Sequence, residues 1–259
     1  MAVTPGKHLA NVIESVSVKC RNKLSDKILI KFCETWRAVL AEFISTLLLV
    51  LLGCLSCVPI QGLAYQPPLY APLGFGFVVL FNIQAFAHIS GAHMNPSVTL
   101  AAILWGKMSI GLGIAYMIAQ CVGSILGYGI LIALSPYDLI TDGICTTQHH
   151  SALTVYQALA VEVILTAALN FLNCALWDPK NEKSLESVAL KFGFTIAGLS
   201  IAGGPLTGCS MNPARSLGPA VWTGVWAAHW IYWVGPFLGG SLSAIFYKYV
   251  WLNNKDDDM

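Results

Sequence analysis

The chain has 259 residues, of which 56% are hydrophobic and only 10% charged, with a formal net charge of +1. A soluble domain carries about 25% charged residues, so that class is excluded, and no basic stripe with interleaved aromatics points to nucleic acid. Long apolar runs, rather than short alternating segments, set the class as an all-α polytopic membrane protein.

In chain order, residues 1–35 read as a cytoplasmic tail. They carry Lys7, Lys19, Arg21, Lys23, Lys27 and Lys31, without the apolar core of a cleavable leader. Leu9, Val12, Ile13 and Val16 are spaced for a short amphipathic helix at the inner membrane surface, with a flexible tail as the equal alternative. Span one is predicted over about Trp36–Pro59, and Glu42 is its only charge past Arg37. Span two covers about Ala71–His88. A short element then starts at Asn95 and ends near Trp105, about ten residues where a crossing needs about 20. Span three covers about Ser109–Leu134 and is followed by a polar loop, 135–151. Span four covers about Val155–Trp177 and holds Glu162. A charged linker, Asp178–Glu186, leads to span five, about Val188–Gly203. A second short element starts at Asn212. Span six covers about Ala228–Trp251, and residues 253–259 form an acidic tail.

The basic residues fix an orientation. Of 14 Lys plus Arg, Arg215 alone lies away from the two termini, the Lys107 turn and the 178–191 region. Six spans place those segments on one side, which the positive-inside rule makes the cytoplasm. The Asn95 element then enters from the cytoplasm and the Asn212 element from outside.

The two halves repeat. Glu42 and Glu162 lie 120 positions apart, Asn95 and Asn212 117, and Gly123 and Gly239 116. Three spans is an odd number, so the second copy is inverted. Six transmembrane helices and two re-entrant half-helices in an inverted 3+3 repeat place a functional site near the midplane.

Asn before Pro is a good helix start, because Asn caps free N–H groups and Pro tolerates the first position. The segments before each Asn, 89–94 and 203–211, are Gly-rich and expected to be irregular. Such backbone at membrane depth must be buried or line water. Two half-helix N-termini, each with about half a positive charge, would then meet at the centre. A cation or hydronium meets a barrier there, and a neutral solute does not.

Glu42 and Glu162 are buried acids at matching positions. Intramembrane acids are proton-relay candidates by default, but the symmetry points to a structural role, accepting N–H groups of the irregular loops. No cofactor fingerprint appears, and His88 and His93 lack partners at metal-ligand spacing, which leaves packing or pore lining; His149-His150 in the external loop read as solvated loop histidines, with a pH or metal sensor as the alternative. Most of the eight cysteines sit in cytoplasmic or membrane segments, where disulfides are not expected. The Cys54-x-x-Cys57 pair is read as helix packing. Gly123, Gly127, Gly239 and Gly240 allow close helix approach.

His93-Met94-Asn95-Pro96-Ser97 and Met211-Asn212-Pro213-Ala214-Arg215 resemble the paired Asn-Pro-Ala boxes of the aquaporin (major intrinsic protein) family. Ala41-Glu42-Phe43 and the lead-ins Ser90-Gly91-Ala92 and Gly208-Cys209 agree. The resemblance covers a channel domain over about 36–252, with repeat one at 36–134 and repeat two at 152–252. Ser97 departs from the family's Ala. The family's second, outer constriction falls on Phe75, Ser200, Cys209 and Arg215. Cys209 is implied to face the pore, and Arg215 to donate to solutes while repelling cations. Strict water channels have His at the Ser200 position, and bacterial glycerol facilitators pair a small residue there with Trp at the Phe75 position. This chain keeps Phe75 and lacks the His, which resembles the insect entomoglyceroporin branch. Gly203-Gly204-Pro205 and the His229–Trp233 run also resemble the ammonia-permeable aquaporin-8 branch.

The resemblance implies a multi-pass cell-membrane channel for water, glycerol and urea, a homotetramer with one pore per subunit, both termini cytoplasmic, no enzymatic activity and no cofactor. Three alternatives remain: a strict water channel, an inverted-repeat secondary transporter, and a junctional protein that has lost conduction. Ser25, Ser184 and Ser187 are weak phosphorylation candidates.

Overall fold

In the computed structural model the described residues are 35–63 and 67–252, with 182–185 described by backbone alone. The chain divides into two compact units, Met1–Ala38 and Val39–Met259. Of the first, only Thr35–Ala38 is described, as the opening turn of a helix. The expected amphipathic N-terminal helix, Ser25 and the acidic tail lie outside the described residues, and so does the side chain of Ser184.

The described residues are helical throughout their ordered elements. Helix α1 is Thr35–Leu55. It is followed by α2 (Tyr70–Ser90), α3 (Pro96–Trp105), α4 (Ile110–Leu134), α5 (Val155–Trp177), a 3-10 segment (Pro179–Ser187), α6 (Val188–Thr207), α7 (Pro213–Thr223) and α8 (Ile231–Phe246). A π-helical turn, Tyr247–Trp251, continues α8. Five helices, α1, α2, α4, α5 and α6, are each long and apolar enough to cross a membrane. The sixth crossing is α8 with its π extension, 16 plus 5 residues, about 31 Å at 1.5 Å per residue. At 10 and 11 residues, α3 and α7 span about 15 Å each and stop midway.

Helix boundaries follow local chemistry. Asn95 caps α3 and Asn212 caps α7, each with Pro at the first helical position. Ser109 caps α4, and Thr154 with Gln157 forms a capping box on α5. Both half-helices end on left-handed glycines, Gly106 and Gly224.

The inverted repeat is visible in the packing. Each half-helix packs on the last helix of the other repeat: α7 on α4, and α3 on α8. The pairs α5–α8 and α2–α6 complete the bundle. Close approach comes from missing side chains. A Cβ on Gly123 of α4 would overlap the Phe43 carbonyl of α1, and one on Gly239 of α8 the Val163 carbonyl of α5. Where a soluble protein would place apolar side chains, backbone meets backbone, as expected where lipid offers no hydrophobic drive. Ile114, Ile118, Leu126 and Ile130 of α4 point outward.

Two expectations need correction. Helix α6 runs to Thr207, so the irregular second segment is 208–212 rather than 203–211. Pro205 sits inside this helix, and its ring displaces the carbonyl four residues back, that of Ile201. Ile201, Gly204 and Pro205 line a cavity, which offers the freed carbonyl a wet face. The second correction concerns cysteine. Cys54 is not half of a packing pair with Cys57; it forms a disulfide with Cys145, their Cα atoms 5.4 Å apart. Cys54 closes the α1 end that carries no Lys or Arg, and Cys145 lies in the 135–151 loop on that face. The orientation expected from the charge pattern would put this face on the oxidising side, where disulfides persist.

Candidate functional site

The two irregular segments are backbone copies of each other. Ala92 and Met94 have φ of 49° and 52°, and Cys209 and Met211, 117 positions later, have 48° and 51°. Left-handed geometry at a residue with a Cβ costs about 1–3 kcal/mol and persists only where the surroundings hold it. The hold is a carboxylate behind each loop. Glu42 accepts from His93 N at 2.8 Å, Met94 N at 2.7 Å, Ser90 Oγ at 2.6 Å and Gln120 Nε2 at 2.8 Å. Glu162 accepts from Ser210 N at 3.0 Å, Met211 N at 2.8 Å and Thr207 Oγ1 at 2.6 Å. Both carboxylates are fully buried. They fix backbone N–H groups of the loops that no helix satisfies, with Gln120 of α4 and Thr207 at the end of α6 as further donors.

Each Asn divides its side chain between two tasks. Asn95 Oδ1 accepts from Ser97 N at 2.8 Å, and Asn212 Oδ1 from Ala214 N at 3.0 Å and Arg215 N at 3.3 Å. The amide nitrogens reach across: Asn95 Nδ2 donates to Met211 O, and Asn212 Nδ2 to Met94 O, both at 2.8 Å. An amide NH2 has two donors, so one N–H on each Asn is left for the space between them. Ser97 does not supply a further donor to that space. It is fully buried, and its hydroxyl points to Met211 O at 3.3 Å.

That space is a cavity of about 500 Å³. Asn95, Asn212, Phe75, Ser200, Cys209 and Arg215 all line it, as do the loop residues 91–94 and 208–211. The other wall is apolar, with Leu49, Val79, Ile83, Leu169, Phe192 and Ile196. A polar backbone edge against an apolar wall lets a solute exchange hydrogen bonds along one side and meet few on the other. Neither Glu42 nor Glu162 lines the cavity, and the structural role is the one their contacts describe.

Phe75, Ser200, Cys209 and Arg215 come together near the loop Gly143–Thr147. Arg215 Cζ lies 4.7 Å from the Phe75 ring centroid. Its Nη1 donates to Cys145 O at 2.7 Å. Cys209 Sγ donates to Leu199 O at 3.3 Å, within reach of the Ser200 hydroxyl. Pro213 and Pro96 are buried and serve their helix starts.

Some participants were not foreseen. Gln120 bridges Glu42 and Thr99 Oγ1, at 2.8 and 2.9 Å, and Thr99 meets His93 Nδ1 at 3.1 Å. His93 therefore lines the cavity in a fixed orientation. Tyr128 OH donates to Ile144 O at 2.6 Å, and Thr147 Oγ1 to Ser216 Oγ at 2.9 Å, tying down the loop that carries Cys145. Those links join residues 16 and 69 positions apart, and no local pattern signals them. His150 anchors its own loop, its N donating to Leu206 O at 2.8 Å. Among the described residues no group of three or more His, Cys, Asp or Glu is placed to hold a metal ion.

The sequence profile of the major intrinsic protein family matches residues 30–247. The chain is 44% identical to mouse aquaporin-4 over 218 residues, 83% of this chain and 67% of the relative. It is 38% identical to the human lens fiber major intrinsic protein over 221 residues, 83% and 81% of the two chains. Among solved structures, the X-ray structure of the aquaglyceroporin from Plasmodium falciparum superposes with a TM-score of 0.75 at 25% identity, covering 83% of this chain and 96% of that one.

Proposed function

The chain belongs to the major intrinsic protein (aquaporin) family, a family of channels rather than enzymes, and from that premise we propose that it passes water, glycerol and urea passively across the cell membrane. The observation that carries the glycerol reading is Ser200. It lines the cavity beside Phe75, Cys209 and Arg215, where an imidazole would narrow the opening. A hydroxyl there leaves room and offers a partner to polyol oxygens.

In this reading selection has two parts. At the centre, the ends of α3 and α7 present positive dipoles and the free N–H of Asn95 and Asn212. A passing water oxygen accepts from both and turns its own protons away from its neighbours, which interrupts a proton wire. At the outer constriction the Arg215 guanidinium repels cations and donates to neutral solutes. Both ends of the chain lie in the cytoplasm, four copies assemble, and each subunit carries its own pore. The similarity to a solved aquaglyceroporin supports glycerol passage. Retention of Phe75 against Arg215 favours the second reading, a strict water channel.

Purified protein in liposomes, mixed with sucrose and then with glycerol gradients and followed by light scattering, tests this. Non-saturating glycerol flux without dependence on sodium or pH is the expected result. Water flux alone would establish the second reading, and saturating, ion-dependent flux would overturn the channel.

A further inference from the structure

Of the described residues lining the cavity, Arg215 alone carries a permanent charge. Its position depends on Cys145 twice over. Nη1 donates to Cys145 O at 2.7 Å, and Nη2 approaches Cys145 Sγ at 3.5 Å. Cys145 offers that carbonyl from a left-handed backbone, φ 65°, a conformation a residue with a Cβ adopts only when held. The covalent hold is the disulfide to Cys54, which is fully buried at the end of α1 and 91 positions away. Tyr128 and Thr147 grip the neighbouring residues of the loop but not Cys145 itself.

We propose that the Cys54–Cys145 disulfide is a positioning element of the outer constriction, so that solute selectivity depends on its redox state. With the bond formed, the Cys145 carbonyl keeps the guanidinium against the wall. With it cleaved, Cys145 relaxes toward ordinary φ and the carbonyl leaves Nη1. A buried guanidinium that loses an acceptor must find another, and Arg215 faces the lumen, where water and solutes offer one. The charged head then projects into the opening, which hinders glycerol more than water. This rests on the channel reading and, for its main readout, on glycerol passage. Cys145 lines the cavity and is only half-buried, so a solution reductant reaches the bond from the outer mouth.

A water-soluble phosphine provides the test. It attacks one sulfur, the S–S bond breaks, and water hydrolyses the phosphonium. The phosphine is oxidised by two electrons to its oxide, and both cysteines leave as thiols. Full-length protein is reconstituted without reductant, and glycerol and water permeabilities are measured before and after treatment with tris(2-carboxyethyl)phosphine. Alkylation and mass spectrometry follow Cys54 and Cys145. The glycerol-to-water ratio is expected to fall about fivefold, the factor that one hydrogen bond of ordinary net strength makes in a rate. Reoxidation with diamide restores it. Cys57→Ser keeps the response. The double variant Cys54→Ser, Cys145→Ser starts at the low ratio and ignores the phosphine; should it fail to fold, the wild-type reduction and reoxidation cycle decides. A merely structural bond would lower both fluxes together and leave the ratio alone. An unchanged or raised ratio in protein shown to be reduced overturns the proposal, as does alkylation of Cys54 and Cys145 before any reductant is added. Untreated protein that passes no glycerol defeats the glycerol reading by itself. The response is then read on water permeability beside the thermal unfolding curve: a fall in permeability with unchanged unfolding supports positioning of Arg215, and an unchanged permeability, or a fall that comes with earlier unfolding, overturns it.

Discussion

Asn95 and Asn212 brace each other's loops: the amide of each donates to the backbone carbonyl just before the other, both at 2.8 Å. The two half-helices therefore meet through paired hydrogen bonds in addition to apolar packing. Each brace also fixes the rotation of the side chain that makes it, which aims the second N–H of the amide.

Asn212→Asp separates capping from bracing. Asp caps a helix as well as Asn does, so Ala214 and Arg215 keep their acceptor. The Met94 carbonyl loses its donor and faces a carboxylate oxygen. The expected result is a loss of about 1–3 kcal/mol in stability, the cost of an unsatisfied buried acceptor. The new negative charge cancels the positive end of α7, so liposomes loaded with a pH-sensitive dye should leak protons in acid-jump experiments. Proton-tight vesicles with intact water flux would show that the dipole argument is wrong.

Glu162→Gln tests the carboxylate hold. The ion receives Thr207 Oγ1, Ser210 N and Met211 N. A neutral amide has one acceptor oxygen, and its NH2 would oppose one of those donors. Hydrogen bonds to a charged group contribute about 1.5–3 kcal/mol each, so the variant is expected to lose about 3 kcal/mol and to melt earlier in detergent. An unchanged melting curve would mean that the loop geometry is held by something else.

Much of this was legible in the sequence. Asn-Pro placed both helix starts, and a shortfall in apolar length identified α3 as a half-helix. The matched spacing of Glu42 with Glu162 and Asn95 with Asn212 revealed the inverted copy. What could not be read is what joins distant residues without a repeat partner. Cys54 stands in register with Cys174, which is free, and Cys145 lies in the loop between the two repeats, so the repeat gave no sign of their pairing. The boundary of α6 was misplaced because Gly203-Gly204-Pro205 reads as a breaker, while a wet cavity beside Ile201 tolerates the freed carbonyl.

Gly239→Ala tests the backbone packing. The added Cβ would overlap the Val163 carbonyl, and α5 and α8 would have to separate. Overpacking of this kind costs about 1–3 kcal/mol, and the folded yield in size-exclusion chromatography is expected to fall. Gly111→Ala is the control, because nothing lies within 4 Å of a Cβ at that position. It should be neutral or slightly stabilising through helix propensity. Equal effects at the two sites would rule out close approach as the reason for Gly239.

Ser200→His tests what sets the size of the opening. Ser200 lines the cavity with Phe75, Cys209 and Arg215, and it is the smallest of the four. An imidazole fills the space beside Cys209 and narrows the passage toward the width of a water molecule. Water needs only one hydrogen-bonded position at a time and passes in single file. Glycerol presents a three-carbon chain that must lie against the apolar wall while its hydroxyls face Arg215, and the imidazole occupies that volume. Glycerol flux should fall about tenfold, within the range a single side chain in a pocket discriminates, while water flux changes by less than about twofold on the same scale. Paired glycerol and sucrose gradients on one liposome preparation give both numbers. Glycerol flux equal to that of the parent would mean that the constriction lies elsewhere in the cavity, with the His93 segment as the next place to look.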